Sequence, residues 1–185
     1  MPLQLNTPPA AEPVTLAQAK AWLRVDTGDD DALIASLISA ARARAEWHTG
    51  RAFVTQGWTL WLYAWPAGAC AEIPLPPLQG VTSLTMYARD DSAAVLGAGA
   101  YTVDAASQPG RVMLKQGMAL ADSRAINAVA IAFTAGYGAA NAVPGEIVQA
   151  ILLIVAALYA HRGDDTVPTP DAALALLAPF RVVKL

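Results

Sequence analysis

The chain has 185 residues, is 55% hydrophobic and only 15% charged, and carries a net charge of −3. That length suggests one domain, or one domain with an insertion. The acidic balance, with no basic stripe, excludes tight nucleic-acid binding through phosphate neutralisation. A lone cysteine, Cys70, excludes an internal disulfide and fits a reducing compartment. So little charge means either a large core or surface shared with partners.

Residues 1–13, "MPLQLNTPPAAEP", are expected to be extended. They have no basic stretch followed by an apolar run, so they do not read as a signal peptide. Residues 14–52 form the first part of a helical core. Thr15 is the expected N-cap of a first helix, and Gln18 three residues later completes a capping box. Leu16, Ala19 and Leu23 make its apolar stripe, and Gly28 ends or follows it. In the second helix Leu33, Ile34, Leu37, Ile38, Ala41 and Ala45 share a face, Arg42 and Glu46 are spaced to pair, and Gly50 is the stop.

Between the two helices lie Asp26, Asp29, Asp30 and Asp31. Clustered carboxylates can hold a metal, and a metal-dependent hydrolase using Asp26–Asp31 is one reading. The spacing does not match a calcium loop: Gly28 precedes the triple aspartate, and the twelfth residue from Asp26 is Leu37 where a glutamate is needed. The better reading is a helix start, with Thr27 or Asp29 as cap and the following carboxylates against the positive end of the helix dipole.

Residues 53–135 read as an inserted antiparallel β region of five or six strands. "WTLWLYAW" alternates with large apolar groups on both faces. "VTSLTMYAR", "AYTVD", "GRVML" and "AVAIAFT" are further strands, whereas "RDDSAAVLGAG" and "DAASQPG" supply turns. Trp58, Trp61 and Trp65 crowd one strand with no basic residue interleaved. That favours core or subunit interface over a base-stacking platform, and leaves a small-molecule binding module as a further alternative.

Residues 143–163 return to helix. "IVQAILLIVAALYA" is apolar nearly all round but too short to span a bilayer. Residues 164–185 are a Pro-containing linker, a short helix opening at Asp171 and stopping at Pro179, and an apolar tail. Leu174, Leu176, Leu177, Phe180, Val182 and Val183 must pack back on the domain or dock on a partner. His48 and His161 each sit near a helix end, and Cys70 has no activating neighbour in sequence. No nucleophile elbow, Walker loop or zinc-helix motif occurs. No catalytic residue, metal or cofactor is expected.

The segments "PVTLAQAKAWLRVDTGDDDALIASLISAARARAEWHTGR", "LPPLQGVTSL", "NAVAIAFTAGYG", "VPGEIVQAILLIVAALYAHRG" and "LLAPFRVV" occur in this order along the chain. Together they resemble the head–tail connector (adaptor) proteins of long-tailed phages and phage-like gene transfer agents. The resemblance implies a structural protein in the neck of a virion or phage-like particle, assembled in the bacterial cytoplasm. It implies a homo-oligomeric ring, usually of about twelve subunits, beneath the portal protein. A stopper or tail-completion protein docks below, and DNA passes through the channel without sequence-specific binding or any membrane. It places portal contact on the C-terminal arm: Leu174, Leu177, Phe180, Arg181, Val182, Val183 and Leu185. The expected fold is α+β: a small helical bundle of three main helices and a short C-terminal one, with the β region inserted between the second and third.

Overall fold

The computed structural model describes residues 2–115, 123–164 and 166–182. In chain order it contains β1 (Leu3–Thr7), α1 (Leu16–Leu23), α2 (Asp31–Thr49), β2 (Gln56–Leu62), β3 (Cys70–Ile73), β4 (Leu78–Tyr87), β5 (Ala93–Leu96), β6 (Tyr101–Asp104), β7 (Gly110–Leu114), β8 (Val129–Ala135), α3 (Gly145–Ala160) and α4 (Asp171–Leu177). The chain divides into two units: Met1–Pro9 with Thr55–Tyr137, and Ala10–Val54 with Gly138–Leu185.

The first unit is all β. Its larger sheet is antiparallel in the order β1-β2-β8-β4-β5, and its smaller sheet runs β3-β7-β6. The central strand β8 is apolar at almost every position, as a strand covered on both faces must be. Ile131 pairs with Leu60 on one side and Leu84 on the other, and all three are buried. In the smaller sheet Val112 pairs with Ala71 and Val103, and Ile73, Val112 and Leu114 supply its apolar face. The two sheets meet where Leu78 packs against the bare backbone of Gly110.

The second unit is helical. Thr15 caps α1, its side chain accepting from the Gln18 N–H while the Gln18 side chain takes the Thr15 N–H. Arg24, in a left-handed conformation with φ of 58°, ends this helix before Gly28 is reached. Ile34, Ile38, Ala41 and Ala45 on α2 and Ile147, Ala150, Ile151, Ile154 and Val155 on α3 form the core. Gly50 closes α2 with φ of 69°, a value that costs glycine nothing. Among the described residues no helix is long and apolar enough to cross a membrane.

This architecture overturns the expected helical bundle with an inserted β region. The eight strands form two antiparallel sheets with a core of their own, and all of them precede α3 and α4. Leu3–Thr7, expected to be merely extended, is an edge strand, with Leu3 opposite Leu60 and Leu5 opposite Trp58. Ala93–Leu96, expected within a turn, is the opposite edge, paired to β4. The physical reason is edge pairing. Both segments lack a strong alternating pattern, and hydrogen bonds to β2 and β4 make them strands.

The contact at Gly110 gives a direct test. A Cβ built there would lie 2.6 and 2.8 Å from Leu78 side-chain atoms. Gly110→Ala is expected to lower stability by about 1–3 kcal/mol through overpacking, read as an earlier urea midpoint.

Candidate functional site

Two regions carry the sequence-level site readings, the aspartates before α2 and the C-terminal segment. Both lie in the helical unit. The aspartates do not converge. Asp26 and Asp29 are exposed. Asp31 binds the Lys20 ammonium of α1 at 2.5 Å. Asp30 accepts the Tyr159 hydroxyl of α3 at 2.5 Å, with the Arg162 guanidinium 3.8 Å away and stacked on the Tyr159 ring. Each of the two inner carboxylates thus ties the start of α2 to a different helix. Among the described residues no group of three or more His, Cys, Asp or Glu could hold a metal.

The cap of α2 needs correction. Its N-cap is Asp30, not Thr27 or Asp29, and no side chain caps it. Asp30 is turned instead toward Tyr159, and Asp31 takes the first-turn position beside the helix dipole. The Gly28 carbonyl accepts the Asp31 N–H at 3.1 Å, so a tight turn opens the helix.

Further along α2, Arg42 lies 2.7 Å from Glu12 and 2.6 Å from Glu46. Burial alone would lower the pKa of this guanidinium. Hydrogen bonds and charge from Glu12 and Glu46 outweigh it and leave the value raised. Glu46 also accepts the Phe53 N–H at 2.8 Å.

The C-terminal segment is not detached. Arg44 of α2 donates to the Val167 carbonyl at 2.9 Å and holds the linker. In α4 Ala173 and Leu177 are fully buried, and Leu174 and Leu176 are half-buried. A short 3-10 turn, Ala178–Phe180, follows, and the Arg51 guanidinium donates to the Phe180 carbonyl. The Val182 N–H then donates to the Thr49 carbonyl at 2.8 Å, and the Val182 side chain lies over Gly50. The tail therefore crosses the C-terminal end of α2.

Of the seven residues assigned to portal contact, Leu177 belongs to the core of its own unit. Leu174, Phe180 and Val182 are half-buried and Arg181 is exposed. Val183 and Leu185 lie outside the described residues. Arg44, Arg51 and Thr49, which hold the segment, carry no sequence signal that singles them out. Only the glycine at position 50 marks the crossing.

The five tryptophans differ widely in exposure. Trp65 is buried, Trp58 and Trp61 are half-buried, and Trp22 and Trp47 are exposed. A depression of about 460 Å³ lined by Asp91, Arg124, Ala125, Ile126 and Asn127 has no tryptophan in its wall.

Comparison with known proteins gives the class. The profile of the phage gp6-like head–tail connector proteins matches residues 13–77, which include α1, α2 and the first two strands after them. No curated protein matches the chain. Among solved structures, a chain in the neck of an empty GTA particle computed with C6 symmetry is 27% identical, covering 100% of this chain and 97% of that one, with a TM-score of 0.86. A chain in the virion of a native gene transfer agent (GTA) particle is 26% identical over the same shares, at 0.83. One in the neck of a native GTA particle computed with C12 symmetry is 27% identical, again over 100% and 97%, at 0.80. The resemblance read from the sequence is thereby borne out. Residues 13–77 match the profile of the head–tail connector proteins, and the whole chain is similar in fold to chains in gene transfer agent particles. These likenesses support a structural connector role.

The packing of α4 makes a prediction about the core. Leu177→Ala should destabilise the helical unit by about 2–5 kcal/mol, as for other fully buried leucines, seen as a lower thermal midpoint. A leucine held free for a partner would show no such loss.

Proposed function

We propose that the chain is a non-enzymatic connector that forms a ring beneath the portal, joins the DNA-filled head to the tail or stopper, and lines the DNA exit channel. The observation that carries this reading is the full-length likeness to a chain in a gene transfer agent particle neck at a TM-score of 0.86. The C6 and C12 symmetry of the two neck structures supports a cyclic assembly, with twelve copies the expected number. A net charge of −3 suits a channel along which DNA slides rather than sticks. The pairing of Asp30 and Asp31 with Tyr159 and Lys20 gives the inner carboxylates a structural task.

Portal contact belongs in this reading to the end of the tail: Phe180, Arg181, Val182, Val183 and Leu185, with Leu174 at the margin. Leu177 is left out because exposing it would open the core of its own unit. Arg181 supplies an exposed cation beyond the last turn.

The experiment is a chain ending at Val182, mixed with the portal ring of its own particle. Every described contact of the tail is kept, so circular dichroism and the melting midpoint should match the full chain. Capture on the portal ring should weaken, because Val183 and Leu185 are lost while Phe180, Arg181 and Val182 remain. Capture of the shortened chain at full strength would refute the contact at Val183 and Leu185. Failure of the full chain to bind the portal ring would refute the connector reading itself.

A further inference from the structure

Trp47, on the last turns of α2, is 85% exposed, the most exposed of the large apolar side chains among the described residues. An indole in water leaves roughly 150–250 Å² of apolar surface uncovered, and nothing among the described residues of the helical unit closes over it. The helix around it has an unusual outer face. The exposed positions of α2 are Ala32, Ala35, Ser36, Ala40, Ala43 and Trp47, and residues 32, 36, 40, 43 and 47 form one line along the helix.

A solvated helix face ordinarily carries lysine and glutamate, and α2 does have charged residues. They are engaged within the unit: Asp31, still 41% exposed, with Lys20, Arg42 with Glu12 and Glu46, Arg44 with the Val167 carbonyl, and Glu46 with the Phe53 N–H. The outward face is left uncharged, small in its side chains (alanines and Ser36, whose hydroxyl donates back to the Leu33 carbonyl) and ended by an aromatic of the type that dominates interfaces.

We infer that this face of α2, anchored by Trp47, is the surface on which a second copy of the chain docks. The inference rests on the connector reading, in which identical copies surround a channel. A closed ring uses heterologous contacts, so each copy presents two different patches to its two neighbours. The α2 face is one of them. It offers no cation for DNA and no charge for a polar partner to pair with. Small side chains beside one large aromatic suit a neighbour's backbone approaching closely while its own surface receives the indole.

The size of the face makes it one part of such a contact. From Ala32 to Trp47 the face rises about 23 Å. A strip of that length and one helix-face wide covers less than half of the roughly 800 Å² per partner that a stable interface buries. The face is the centre of a subunit contact, and ring closure adds the rest.

The test compares the full chain with Trp47→Arg and Ala40→Arg by sedimentation and native mass spectrometry, free at high concentration and loaded on the portal ring. Both substitutions are at exposed positions and should leave the melting midpoint unchanged. Self-association should weaken at least about 30-fold, the loss expected of an interface hot spot. The variants should still bind the portal ring, as scattered copies rather than a filled ring. Because the second patch remains intact, excess Trp47→Arg chain should also terminate wild-type assembly. Variants that fill the ring as the wild type does would overturn the inference and leave the connector reading standing. A wild type that binds the portal ring yet never places copies side by side would also overturn it. Loss of portal binding by the wild type would instead strike the connector reading.

Discussion

The Arg42 guanidinium bridges two carboxylates, one from the segment that enters the helical unit and one from the next turn of its own helix. Glu12 and Glu46 hold it at 2.7 and 2.6 Å, and Glu46 also receives the Phe53 N–H where the chain leaves the unit. Exposed ion pairs contribute little, about 0–1 kcal/mol. This one is part-buried and shared between two carboxylates, so it contributes more than an exposed pair and less than the roughly 3–5 kcal/mol lost when a fully buried pair is broken. Arg42 therefore fixes entry, helix and exit to one another, and the rest of the unit is hung on the frame so made. At the other end of α2, Asp31 and Asp30 reach α1 and α3. At its C-terminus Thr49 and Gly50 receive the returning tail.

The aspartate run shows how the same residues can read as chemistry or as carpentry. Four carboxylates in six positions are what a hard cation would want, and also what the positive end of a helix would want. Geometry separates the two. A metal site draws its oxygens to one point, whereas here Asp30 and Asp31 point at different helices and the outer pair faces solvent.

Legibility followed periodicity. The Thr15 cap, the glycine stop at position 50, the long apolar helix and the strands with clean alternation stand in the sequence as local patterns, because each depends on neighbours within a few residues. Strands β1 and β5 do not, since an edge strand is defined by what it pairs with, and Leu3 finds Leu60 far along the chain. The same holds for α4. Its seven residues look like a free arm until the long-range bonds from Arg44 and Arg51 place it. The overall class was misjudged for a related reason. Helices announce themselves over many residues, and short strands understate how much of the core they build. Leu177 is buried in its own unit, which the pattern of the tail could not tell, because amphipathicity says which face is apolar and not which molecule covers it.

The route of the backbone has a consequence for how the protein is made. The chain passes between its two units three times, near residues 9, 54 and 137. The first strand to leave the ribosome must wait for β2, and the opening helices must wait for α3, before either finds its partners. Long-range closure of this kind slows folding relative to local contacts. Neither unit exists as a continuous stretch of polypeptide. Vectorial synthesis thus completes the β unit at Tyr137, before the helical unit has its second segment, and splitting the gene at any single point divides at least one unit rather than releasing two separable modules.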